Sequence, residues 1–174
     1  RREEEVEKRL DDARRRLEKS NRDDERLTRT VEEELKRSND EIRKRLETAM
    51  RELKKLVKDG VDKDDVERVL DRVRRELEEL VKENKEIVRE IRKRNEKSKR
   101  DNERLLRKVE EDIRRLDRSE EVERRLEKVE EDSRRELKRS EKRSDEVARD
   151  SERLLDEWRR RLEEVIRRVK EETR

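Results

Sequence analysis

Residues 10–53 read LDDARRRLEKSNRDDERLTRTVEEELKRSNDEIRKRLETAMREL. Stepping along this stretch by 18 residues aligns Leu10 with Thr28 and Leu46, Ala13 with Val31 and Ala49, and Leu17 with Leu35 and Leu53. The doublets Ser20-Asn21, Ser38-Asn39 and Leu56-Val57 keep the same step. Between these positions the apolar residues recur mostly at threes and fours, the spacing of one helical face. Eighteen residues in five turns is about 3.6 per turn, the pitch of a straight α-helix. A heptad repeat would supercoil to the left and an 11-residue repeat to the right. The alternation of the two predicts long helices lying side by side with little supercoil.

The rest of the chain keeps the same step. Val69, Ile87 and Leu105 align, as do Leu70, Val88 and Leu106, and Val73, Ile91 and Val109. Further on, Val122 aligns with Ser140 and Trp158, Leu126 with Ser144 and Leu162, and Val129 with Val147 and Val165. Two breaks separate the three segments. The one glycine sits in Lys58-Asp59-Gly60-Val61-Asp62, where glycine suits a left-handed helix end and Val61 can fold back on it. Asp62 is then a good N-cap, with Asp64 and Asp65 in the first turn. The second break, Leu116-Asp117-Arg118-Ser119-Glu120-Glu121, offers Ser119 or Asp117 as cap. Stripe phase demands it: at about 100° per residue, the stripe of 66–116 is centred about 130° from that of 122–169.

Each stripe covers roughly 120°, which suits two neighbours and leaves little apolar surface for a third. Short loops make sequential helices antiparallel. The expectation is an all-α, single-domain, up-down-up three-helix bundle. Helix 1 covers about 2–58, a loop 59–62, helix 2 about 63–116, a loop 117–119 and helix 3 about 120–173, each some 80 Å long at about 1.5 Å per residue.

Composition narrows the function. Of 174 residues, 58 are Lys or Arg and 55 are Asp or Glu, so 65% are charged, against roughly 25% in an ordinary domain. Only 25% are apolar, one Trp is the whole aromatic content, and Pro, Cys and His are absent. Without His or Cys there is no zinc, haem, iron–sulfur, thiol or imidazole chemistry to expect. No apolar run approaches the ~20 residues of a membrane span, and no signal-peptide core opens the chain. A net charge of +3 among so many charges suggests no strong pull to nucleic acid or to a membrane. A disordered polyampholyte or a lone charged helix would share this composition, but neither requires an apolar stripe.

Fourteen stripe positions carry small polar groups: Ser20, Asn21, Asp24, Thr28, Ser38, Asn39, Asn84, Asn95, Ser98, Asn102, Ser133, Ser140, Ser144 and Ser151. In an antiparallel bundle with these loops, residue i of helix 1 lies level with about 120 − i, and residue j of helix 2 with about 237 − j. Ser20, Asn21, Asp24 and Thr28 then share a level with Asn95, Ser98 and Asn102, and these with Ser133, Ser140 and Ser144. Ser38 and Asn39 fall beside Asn84, which falls beside Ser151. The expectation is two buried polar bands crossing all three helices, with apolar layers between and beyond. Asp24, an acceptor only when ionised, should receive bonds from Asn95, Ser98 or Asn102.

Other signals carry less. Acidic pairs such as Asp23-Asp24 and Asp64-Asp65 arise by chance among so many carboxylates, and no EF-hand-like loop appears. The arginine triplets at 14–16 and 159–161 lie among Glu and Asp, lack aromatic partners and read as solvated faces. Trp158 should point inward near Ile42 and Leu80, as a core filler. Ser–His catalysis is impossible without His, and no pocket-forming loop supports a Ser–Lys pair.

The 18-residue layers, the single loop glycine, the absence of Pro, surfaces of Glu, Arg and Lys, and core bands of Ser and Asn together resemble a de novo designed helical bundle. They are similar to parametrically generated, untwisted three-helix bundles that carry designed hydrogen-bond networks. That resemblance covers the whole chain, and it implies a computed scaffold with no natural substrate, no enzymatic activity and no cofactor. A monomer that requires no partner is the first expectation. The alternative is an interaction module, one part of a designed homo- or hetero-oligomer or of a helix-exchange switch.

Overall fold

The computed structural model describes residues 1–60 and 62–172. They form three long α-helices, α1 (Arg2–Lys58), α2 (Lys63–Leu116) and α3 (Glu120–Glu172), and no strand. Val61, expected to fold back on the end of α1, and position 173, expected to end the third helix, lie outside the described residues.

The local chemistry favours helix throughout. Glu, Lys, Arg and Leu have high helix propensity, and no proline interrupts them. Acidic residues fill the first turn of every helix: Glu3 to Glu5 in α1, Asp64 and Asp65 in α2, Glu120, Glu121 and Glu123 in α3. Basic residues close each helix, with Lys55 and Lys58, Arg114 and Arg115, and Lys170. Both placements oppose the helix dipole. Ion pairs four residues apart, such as Glu5–Arg9, Glu41–Arg45, Glu130–Arg134 and Glu164–Arg168, put the acid on the N-terminal side, the better order. Being exposed, each is worth only about 0.3–0.5 kcal/mol.

The helix ends have identifiable stops. Gly60 has φ +67°, and its N–H donates to the Val57 carbonyl at 3.3 Å, which satisfies one of the last carbonyls of α1. Asp62 precedes α2 and its carbonyl accepts the Val66 N–H at 3.4 Å. At the second break both candidate caps are used. Asp117 Oδ1 accepts the Ser119 N–H at 2.8 Å in an Asx turn, and Ser119 Oγ accepts the Val122 N–H at 3.4 Å as N-cap of α3.

The chain divides into two compact units, each built from a segment of all three helices. Unit 1 comprises residues 1–30 and 90–146. Its core joins Val6, Leu10 and Leu17 of α1 to Leu106 and Ile113 of α2 and to Val122, Leu126 and Val129 of α3. Its cross-helix contacts include Arg9–Asp112, Ser20–Ser98, Lys99–Glu141 and Arg114–Glu123. Unit 2 comprises residues 31–89 and 147–174. One of its clusters packs Ile42, Leu46 and Ala49 against Val73, Leu77, Leu80 and Leu155, with Trp158 alongside. A second joins Leu53, Val66, Leu70, Ile166 and Val169. Its cross-helix contacts include Asn39–Asn84, Arg45–Glu76 and Glu52–Arg72. In unit 1 the partner numbers of these pairs fall along α2 as they rise along α1, and along α3 as they rise along α2. In unit 2 they fall along α2 as they rise along α1.

Candidate functional site

All of the chemically distinctive core residues are the small polar ones, and none of the fourteen is solvent-exposed. Thr28, Asn84, Asn102, Ser133, Ser144 and Ser151 are buried, with Asn84 fully so. Ser20, Asn21, Asp24, Ser38, Asn39, Asn95, Ser98 and Ser140 are half-buried. Each sits on an inward face because its helix keeps the 3.6-residue period through the polar layer without a break.

Ten of them lie in unit 1. Ser98 of α2 is the hub, donating to Asp24 Oδ2 at 2.8 Å and lying 3.3 Å from Ser20 Oγ. Asn95 Nδ2 donates to Ser144 Oγ, which ties α2 to α3. Thr28 turns its hydroxyl on its own helix and donates to the Asp24 carbonyl at 2.9 Å, the backbone four residues before it. Asn21, Asn102, Ser133 and Ser140 form no side-chain hydrogen bond with another described residue. Asn21 and Ser133 instead line a groove between α1 and α3 together with Arg14, Arg22, Arg135, Arg139, Glu18, Glu25, Asp132 and Glu136.

Unit 2 holds the other four. Asn84 Nδ2 donates to Asn39 Oδ1 at 3.2 Å, joining α2 to α1. Asn84 Oδ1, Ser38 Oγ, Ser151 Oγ and Trp158 Nε1 are closed off from solvent with no partner. Asn95 Oδ1 and Asn102 Nδ2 in unit 1 share that condition. Each buried, unmet polar atom costs about 1–3 kcal/mol.

Among the described residues two carboxyls are perturbed, both in unit 1. Burial raises the Asp24 pKa, the Ser98 hydrogen bond partly offsets this by favouring the carboxylate, and the neighbouring Asp23 charge adds to the rise. Glu110 of α2 is raised by burial and then by the negative charge of Glu130 on α3, while Arg114 opposes the shift. Composition and period did not single out Glu110. A signal was present, since Glu110 follows Val109 and Glu130 follows Val129 at stripe edges of facing helices. Trp158 packs against the cluster that contains Ile42, Leu77, Leu80 and Leu155, with the Arg161 guanidinium 4.9 Å from its ring centre.

Among the described residues, no group of three or more acidic side chains is placed to hold a metal ion. No helix among them is long and apolar enough to cross a membrane. The sequence matches no known protein family and no curated protein. Among solved structures it is similar to a "Computationally designed three helix bundle", with 17% identity, coverage of 98% of this chain and 94% of that chain, and a TM-score of 0.44. In each unit, three helical segments enclose an apolar core, which makes the chain an all-α protein of three long helices.

Proposed function

We propose that this chain is a designed structural scaffold, and that its polar bands serve to fix helix register in an antiparallel up-down-up bundle. The observation that carries the reading is that the polar bonds join different helices at common levels: Asp24 and Ser20 to Ser98, Asn95 to Ser144, Asn84 to Asn39. A satisfied buried hydrogen bond contributes only about 1 kcal/mol, whereas an unmet group costs as much or more. Such bands therefore add little net stability and act mainly by penalising wrong registers. Replacing Asn95 and Asn84 together by Leu should leave far-ultraviolet circular dichroism unchanged and raise Tm. The same change should produce mixed masses in light scattering and faster hydrogen exchange in the helices. A variant that stays strictly at 21.8 kDa with unchanged exchange overturns the reading.

A second reading, an interaction module that exchanges helices with a partner, is favoured by the unmet atoms of Ser38, Asn84, Asn95, Asn102 and Ser151. A different set of helices would offer them other partners. Two differently tagged pools of the chain, mixed, warmed and cooled, should then co-purify. Pools that remain separate exclude exchange with a second copy.

A further inference from the structure

We infer that the groove between α2 and α3 in unit 2 is a binding site for a small amphiphilic anion, an apolar body carrying one carboxylate or sulfonate. The groove encloses about 530 Å³, within the range of small-molecule sites. Leu77 and Val81 of α2, Leu155, Trp158 and Leu162 of α3, and Ile42 of α1 line it. Trp158 and Val81 are only partly covered, so the groove offers aromatic and branched apolar surface to a ligand. Its rim is cationic: Arg74, Lys82, Lys85 and Arg159 stand against Glu78 and Glu163. None of these four cations has an ion-pair partner among the described residues, whereas Arg45 and Arg72 nearby are paired with Glu76 and Glu52. The lysine stems can lie along the apolar wall while their ammonium groups meet an anionic head.

Charge and length select this occupant over others. The larger groove of about 670 Å³ between α1 and α3 balances four arginines against four acids and has only Leu17 and Val129 as apolar lining. It therefore has no preference for an anion and little grip on an apolar body. The α2–α3 groove runs from Leu155 to Ile166, roughly 16 Å at 1.5 Å per residue. That accommodates a medium-length alkyl chain or a fused aromatic body. A second copy would need about 800 Å² of surface on each side for a stable interface, more than three helical turns between charged rims provide.

The test uses the full chain and 1-anilinonaphthalene-8-sulfonate, with Trp158 as energy donor. Saturable quenching at one probe per chain is expected, with displacement by dodecanoate at a concentration at least tenfold lower than by dodecanol. Lys82→Glu with Lys85→Glu should weaken the probe at least tenfold with unchanged circular dichroism. Arg14→Glu with Arg22→Glu, on the other groove, should change it less than twofold. The inference fails if binding does not saturate, if dodecanol competes as well as dodecanoate, or if the two double substitutions weaken binding equally. It also fails if light scattering gives twice 21.8 kDa and the probe binds only on dissociation, since a second copy then fills the groove.

Discussion

Asp24 and Glu110 hold carboxyl groups where burial disfavours charge, and in both the folded chain binds a proton more readily than the unfolded one. For an acid with a raised folded pKa, the native state takes up a proton as pH falls, so these groups favour folding most below their ordinary pKa. That contribution is lost as pH rises through the raised value, and at neutral pH both carboxylates are a net strain on the fold. Asp24→Asn should raise Tm at pH 7, and the gain should shrink towards zero as the pH falls into the ordinary carboxylate range. Glu110→Gln should behave the same way, because it removes the repulsion from Glu130 and keeps the side chain's shape. Thermal melts of parent and variants at several pH values measure both. That small polar residues fall on inward faces was legible from the period. Which atom bonds which was not, because rotamers and amide orientation are not set by helical repeat. Thr28 shows the difference: its level is readable from sequence, but its hydroxyl bonds its own backbone.

At the scale of the helix, the ends are where single residues matter. Gly60 is the one left-handed residue described, and a Cβ there would meet nothing within 4 Å. Gly60→Ala therefore strains only the backbone, by about 1 kcal/mol, which chemical denaturation would register as a lower midpoint with unchanged slope. Ser119→Ala removes the bond to the Val122 N–H and should cost roughly 0.5–2 kcal/mol in the same measurement. The first stop was legible because a lone glycine among strong helix formers has few other uses. The second was ambiguous between Asp117 and Ser119, since either side chain suits a cap, and the structure gives each a separate hydrogen bond. Three long helices were legible for a simpler reason: no other element keeps an apolar residue every three or four positions for more than fifty residues.

For the molecule as a whole, the heavy charge lies outside the cores. The cross-helix ion pairs Arg45–Glu76 and Arg114–Glu123 have partners about 40% exposed, whereas Ile113 is wholly buried. Raising sodium chloride from 0.1 to 1 M should consequently change the unfolding free energy by less than about 1 kcal/mol. Ile113→Ala should cost roughly 2–5 kcal/mol, which equilibrium denaturation would separate cleanly from the salt effect. The single tryptophan has an optical consequence. Trp158 belongs to unit 2, and with no Tyr or Phe in the sequence, unit 1 has no near-ultraviolet chromophore at all. A fluorescence melt thus watches one unit, while the amide signal at 222 nm averages over both. Superimposed traces would mean that the chain melts as one body. Separated traces would give the difference in stability between the units, with no label added.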